Sequence, residues 1–124
     1  MKGGSVESLL QVGEEIWSGS SEGIHIWKIR SNTHSNSNRY VSTTTKEHTG
    51  SVICLTKFAV ENDFYVFSGS TDSQICVWSS KNRCLIEKLS QHTRPVRSFL
   101  NLKKTNTLWI SGDDKIISEV NLQI

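Results

Sequence analysis

Proline occurs once, at Pro95, and cysteine three times, in a chain of 124 residues. So little proline, with no Gly/Ser/Pro-rich stretch spanning the chain, argues against a linker or a disordered tail. Cys54, Cys76 and Cys84 are an odd number set in strand-like apolar runs. They form no disulfide framework, and the expectation is a reduced, intracellular protein, most simply a cytoplasmic one. Short-spaced cysteine pairs are missing, so neither a metal site nor any other cofactor is expected. No Asn-X-Ser/Thr sequon occurs. No apolar run approaches the ~18 residues that cross a bilayer, and Met1-Lys2-Gly3-Gly4 lacks the apolar core of a signal peptide. Charge of one sign is lacking too. Fourteen basic residues face 12 acidic ones for a net +2, so no pull toward nucleic acid or anionic lipid follows.

What the chain does have is repetition. Val6, Val52 and Val96 recur at spacings of 46 and 44 residues. Ser18, Ser68 and Ser111 recur at 50 and 43, and Trp27 and Trp78 lie 51 apart. A period of ~40–45 residues built from short strands fits propeller blades, each a four-stranded antiparallel sheet. The predicted strands are 6–11, 15–18, 24–29 and 40–45, then 52–58, 64–68, 74–79 and 84–89, then 96–100, 107–111 and 116–120. That gives an all-β fold of about 11 strands with little or no helix. The blades divide at about 1–46, 47–90 and 91–124, and the third lacks its outer strand. The polar tract Ser31–Asn38 has no apolar residue and reads as a surface loop that lengthens the first unit.

These motifs resemble the WD-repeat β-propellers. The second unit matches best, with His48, Ser68-Gly69-Ser70-Thr71-Asp72 and Trp78, although Glu47 and Ser79 replace the family's glycine and aspartate. The first unit keeps Ser18, Glu22 and Trp27 but has Lys2 in place of the histidine. The third keeps His92, Ser111 and an aspartate at 113 or 114, with Val120 near the tryptophan register. The resemblance implies a structural hydrogen-bond series, Asp72–His48–Ser68–Trp78, and partial versions in the outer units.

Other chemistries fit the residues less well. Gly19-Ser20-Ser21-Glu22-Gly23 matches a Gly-X-Ser-X-Gly nucleophile elbow in letters. That elbow needs a helix after it, and here strand patterns flank both sides. Trp17, Trp27, Trp78 and Trp109 fall within strand runs and are expected in the core between blades. Strand alternation turns Ser51 and Ile53 away from Val52, and likewise Ser5 with Glu7 and Pro95 with Arg97. Together with Ser21, Thr49, Thr71, Thr93 and Arg94, these are the positions that the resemblance places on a partner-binding surface at the channel mouth.

The expected function is a non-catalytic protein–protein interaction scaffold, not an enzyme. Two alternatives stand beside it. One is a regulatory or targeting segment of a larger signalling enzyme (a phosphatase, kinase or exchange factor). The other is a reader of phosphorylated protein or inositol-lipid groups through Arg94 and Arg97. Closed propellers need about four to eight blades. Fewer than three whole blades therefore imply a homo-oligomer, most simply two chains in one ring, or a fragment completed by the remaining blades of a larger propeller.

Overall fold

A computed structural model describes residues 5–28, 42–45, 47–60, 63–90 and 92–121. The described residues form 11 strands and no helix. The first sheet holds β1 (Val6–Val12), β2 (Glu15–Ser20), β3 (Gly23–Lys28) and β4 (Ser42–Thr45) in that order. The second holds β5 (Val52–Val60), β6 (Asp63–Ser70), β7 (Ile75–Ser79) and β8 (Cys84–Leu89). The third holds β9 (Val96–Leu102), β10 (Thr107–Gly112) and β11 (Ile117–Asn121). Every pairing within these sheets is antiparallel between chain neighbours. The tract 31–38, Lys2, Ile29 and Tyr40 lie outside the described residues. No helix among the described residues is long and apolar enough to cross a membrane.

The strands arise where β-branched and aromatic residues cluster, and short polar turns separate them. The turn between second and third strands needs a left-handed residue. Gly23 (φ 108°), Ser73 (φ 69°) and Lys115 (φ 63°) occupy it in the three sheets. Glycine does so freely, whereas the other two do so at some conformational cost.

Two apolar seams hold the sheets together. Trp17, Ile24 and Ile26 of the first sheet pack against Val52, Val66, Cys76 and Trp78 of the second. Phe67, Ile75 and Val77, on the opposite face of the second sheet, pack against Val96, Leu108 and Ile110 of the third. Successive residues of β6 and β7 thus serve different seams, as the period of two in a strand requires. Each large aliphatic or aromatic side chain taken fully out of water stabilises the fold by about 1.5–3 kcal/mol. Backbone carbonyls add polar links. Lys57 Nζ donates to the carbonyl of Gln11 at 2.7 Å, and Asn101 Nδ2 donates to the carbonyl of Lys57 at 2.8 Å. Arg83 also pairs with Glu15 across the first seam.

Burial corrects one expectation. Trp17 and Trp78 are in the core, and Trp27 is half-buried, but Trp109 is 39% exposed. Its register in the third sheet is that of Trp17 and Phe67 in the first two. Those two are covered by the following sheet, and among the described residues no sheet follows the third.

Candidate interaction rim and its polar scaffold

The second sheet carries a continuous polar series. His48 Nδ1 lies 3.1–3.2 Å from both carboxylate oxygens of Asp72, and His48 Nε2 lies 2.8 Å from Ser68 Oγ. Trp78 Nε1 donates to the same Ser68 oxygen at 2.9 Å. A carboxylate only accepts, so Nδ1 carries the imidazole proton and Nε2 is the acceptor. The Ser68 hydroxyl then donates to Nε2 while receiving the indole N–H. Every donor in the series has an acceptor within reach, which fixes the tautomer and the strand register together.

Asp72 also accepts from the amides of Thr49 at 2.8 Å and Gln74 at 2.8 Å. Burial pushes its carboxyl up, but these amides and His48 outweigh burial and hold it below the usual range. Burial dominates at His48 and lowers its pKa despite the neighbouring carboxylate, consistent with a neutral imidazole.

The third sheet rebuilds the series from a different residue. His92 Nδ1 sits 3.0–3.1 Å from both oxygens of Asp114, which also accepts from the amides of Thr93 and Ile116. His92 Nε2, however, meets Ser118 Oγ at 2.9 Å. Ser111 bonds Ser98 at 2.7 Å instead, so the expectation that Ser111 matches Ser68 is corrected. The register shows why. Ser68 faces Cys76 across the β6–β7 pair, and Ile110 faces Ser118 across β10–β11. Ile110 therefore stands where Ser68 stands, and the hydroxyl has moved across the strand pair to the Cys76 position. Val120, opposite Leu108, fills the register of Trp78, opposite Val66. In the first sheet Trp27 Nε1 donates to Ser18 Oγ at 3.0 Å, and the histidine position at Lys2 is outside the described residues.

This gives a direct test of register. Ser118→Ala leaves the His92 ring nitrogen, in a residue only 4% exposed, without its partner. It is expected to cost about 1–2 kcal/mol, while Ser111→Ala stays within about 0.5 kcal/mol. Urea unfolding of both variants measures the difference; equal losses would contradict the assignment.

The scaffold supports a rim at one end of the sheets. In each first strand the pairing register shifts by one residue, between Val6 and Ser8, Val52 and Cys54, and Val96 and Ser98. The residues within the three shifts are Glu7, Ile53 and Arg97. Simple alternation was expected to turn them outward; a β-bulge does so instead, leaving each off the ladder. Beside them run Ser5, Ser51 and Pro95, and across the turn stand Ser21, Thr71 and Asp113. Ser5, Glu7, Ser21, Thr49, Thr71, Thr93, Arg94 and Arg97 are exposed, and Ser51, Ile53 and Pro95 are half-buried.

The second and third sheets solve this corner differently. The Thr71 hydroxyl accepts from the Ser51 amide at 3.0 Å, and the Thr71 amide donates to the Ser51 carbonyl at 3.0 Å. The Asp113 amide likewise donates to the Pro95 carbonyl at 2.9 Å. Pro95 has no N–H to offer. The Asp113 carboxylate turns instead to Arg97, accepting from Nε at 2.9 Å and Nη2 at 2.8 Å. This two-point bond, with the charge of Arg97 and the nearby Arg94, holds Asp113 below the usual carboxylate range. Sequence reading left the turn aspartate open between 113 and 114; the structure gives that place to Asp114 and pairs Asp113 with Arg97, and Ser118 was missed. The turn itself held the signal: Gly112-Asp113-Asp114-Lys115 aligns with Ser70-Thr71-Asp72-Ser73 through the left-handed Lys115 and Ser73.

The remaining candidates resolve as structural. Ser20 Oγ accepts from the Glu22 amide at 3.1 Å, as Ser70 Oγ does from Asp72, and strands flank both turns. The Gly-X-Ser-X-Gly letters are a repeat turn, not a nucleophile elbow. Burial pushes the Cys54 thiol up to about 12 and the Cys76 thiol to about 11, so both stay protonated at neutral pH.

Three antiparallel sheets, joined by repeated seams and carrying one corner three times, are consecutive blades of a partial β-propeller with the WD40 fold. Two solved structures are similar throughout: the WD40 repeats of RRP9 (18% identity, TM-score 0.75) and U3-55K (17% identity, TM-score 0.75). Each match covers 95% of this chain and 36% of the other, so the chain spans about a third of their length. No family model matches the sequence.

Proposed function

We propose that the chain is a non-catalytic protein-interaction platform that engages its partner through the bulge-and-turn rim. The carrying observation is the threefold recurrence of the first-strand bulge at Glu7, Ile53 and Arg97, each beside a matching turn residue. Rigid sheets hold these side chains, and their chemistry differs from blade to blade, which suits recognition by surface complementarity. Blade one offers a carboxylate and hydroxyls, blade two an isoleucine among hydroxyls, and blade three paired charges.

The WD40 fold supports a scaffold in kind. Use of Arg94 and Arg97 to read phosphate draws less support, because Asp113 occupies two nitrogens of Arg97. A role as the propeller segment of a larger enzyme would use the same rim.

Affinity capture with the full chain tests this reading. Ile53→Asp and Arg94→Glu each alter an outward rim side chain. Each is expected to lower recovery of specific partners by about tenfold while the melting temperature changes little. Ile86→Asp, on an exposed strand away from the rim, serves as the control. Equal recovery with all three variants would refute a rim-based platform.

A further inference from the structure

The second seam holds a cleft at the end of the strands away from the rim. It measures about 260 Å³ and is lined by Phe58, Ala59 and Phe64 of the second sheet and by Asn101, Lys103 and Asn106 of the third.

The cleft has its origin in the register. Gln11, Lys57 and Asn101 hold the same place in the three first strands, opposite Ile16, Val66 and Leu108. In the first seam, Lys57 Nζ crosses to the Gln11 carbonyl at 2.7 Å and lies 4.8 Å from the centre of the Phe64 ring. In the second seam, Asn101 Nδ2 makes the same crossing to the Lys57 carbonyl at 2.8 Å. Phe64 comes two residues before Val66, and Asn106 comes two before Leu108. Two short amides therefore build the corner that a lysine stem and an aromatic ring build in the first seam. The hydrogen bond between sheets is kept while side-chain volume is lost, and the cleft is the result.

Two polar groups stand at this corner without a partner among the described residues. Strand alternation, carried one residue past the end of β9, puts Lys103 on the side of Asn101. Lys103 is exposed, and no described carboxylate pairs with it. Asp63, next to Phe64, accepts instead from Ser79, Ser80 and the Phe64 amide. The Lys57 ammonium is held at the first seam, so Lys103 is the cation left to the cleft. Asn101 Oδ1 is the second group: it is enclosed and accepts no hydrogen bond. Buried acceptors left so are few in folded proteins and call for a cause.

We propose that this cleft is a second docking site, which takes a segment of a partner protein with an aromatic residue beside an acidic one. The ring refills, against Phe58, the volume that Phe64 and the Lys57 stem take up in the first seam. The carboxylate pairs with Lys103. A backbone N–H of the segment is the donor that Asn101 Oδ1 lacks, and the Asn101 side chain shifts to meet it. A volume near 260 Å³ lies below the roughly 300–1,000 Å³ of sites for drug-sized ligands, so it suits one side chain of a peptide and not a cofactor. The cleft and the rim lie at opposite ends of β5 and β9, so this site stands independently of the rim.

Heteronuclear NMR spectra of the full chain, titrated with end-blocked peptides, test the site. One peptide set places a phenylalanine next to a glutamate among glycines and serines; a matched set carries glutamine instead. The glutamate set is expected to shift the backbone amides of Phe58, Lys103 and Asn106 and the side-chain amide of Asn101. The glutamine set is expected to bind about fivefold more weakly. Lys103→Glu is expected to weaken the glutamate set roughly tenfold. Asn101→Lys restores the long side chain of the first seam and closes the cleft. It adds positive charge, yet it is expected to weaken the same peptides roughly tenfold with no fall in melting temperature. General attraction of an acidic peptide to a basic surface predicts the opposite sign. Should the lysine variant melt lower, Asn101→Gln, one methylene longer and still an amide, makes the same test. Arg94→Glu at the rim is expected to leave binding within about twofold. Tighter binding by Asn101→Lys, equal binding of the two peptide sets, or shifts confined to the rim would each overturn the proposal. So would unshifted cleft amides at millimolar peptide.

Discussion

Trp78→Ala is expected to lower the unfolding free energy by about 3–5 kcal/mol. The indole is 2% exposed and lies in the seam between the first and second sheets. Two losses combine at this position. The cavity removes dispersion contacts with Val52, Val66 and Trp17, and the Ser68 oxygen loses the indole N–H at 2.9 Å. A domain with a typical stability of about 5–15 kcal/mol has little margin for such a loss. Trp78→Phe separates the terms, because it keeps most of the volume and drops the hydrogen bond. It is expected to lose about 1–2 kcal/mol. Ser68→Ala strips the same oxygen from both His48 and Trp78, so its effect and that of Trp78→Phe should not add. Urea unfolding of the two singles and the double reads this coupling directly. Additive losses would mean that the series does not act as a unit.

The third blade supplies the natural comparison. Val120 stands in the register of Trp78, and Ile110 and Leu108 fill the seam beneath. Its histidine and aspartate are retained, but the series stops at Ser118. A blade can therefore hold its corner with histidine, carboxylate and one hydroxyl, provided that hydrophobic packing replaces the indole. That explains why the motif survives in partial form without loss of the strand order.

How much of this was legible in the sequence follows from which signals are local. Strand positions and blade order rest on apolar runs and turn residues close in the chain, and the period of the valines revealed them. The series from Asp72 to Trp78 was legible because the second unit keeps the histidine, serine, aspartate and tryptophan of the family motif, although Glu47 and Ser79 depart from it. The third unit was misread by one residue, because a serine next to a glycine looks alike in either register. Only the pairing of Ile110 with Ser118 resolves it, and that is a relation between strands. The bulges at Glu7, Ile53 and Arg97 were equally hidden. A bulge is a mismatch between two strands, and neither strand alone records it. The pairing of Asp113 with Arg97 escaped for a related reason: it depends on the missing N–H of Pro95 across the turn and on Arg97 two residues beyond.

Asp72→Asn is expected to cost about 3 kcal/mol at neutral pH and to remove the most acidic stage of the stability curve. The wild-type carboxylate accepts from His48 and from the amides of Thr49 and Gln74. An asparagine has one acceptor oxygen, and its amide group repels the donors it faces. The pH dependence follows from two lowered pKa values. Burial lowers His48 below 6.5, so the folded state favours the neutral ring. Its contribution is complete above 6.5 and is lost as pH falls from there through the lowered folded value. Asp72 is lowered below 3.8 because its hydrogen bonds outweigh burial. Its contribution is complete above 3.8 and is lost as pH falls through its own folded value. Both terms therefore destabilise toward acid, His48 first and Asp72 later. In Asp72→Asn the later stage disappears. The His48 stage deepens, because the anion that had favoured its protonation is gone. The difference between wild type and variant, followed by chemical unfolding from neutral pH downward, should shrink below 3.8 as the wild-type carboxylate becomes protonated. A difference that stays constant with pH would show that Asp72 contributes as a polar shape and not as a charge.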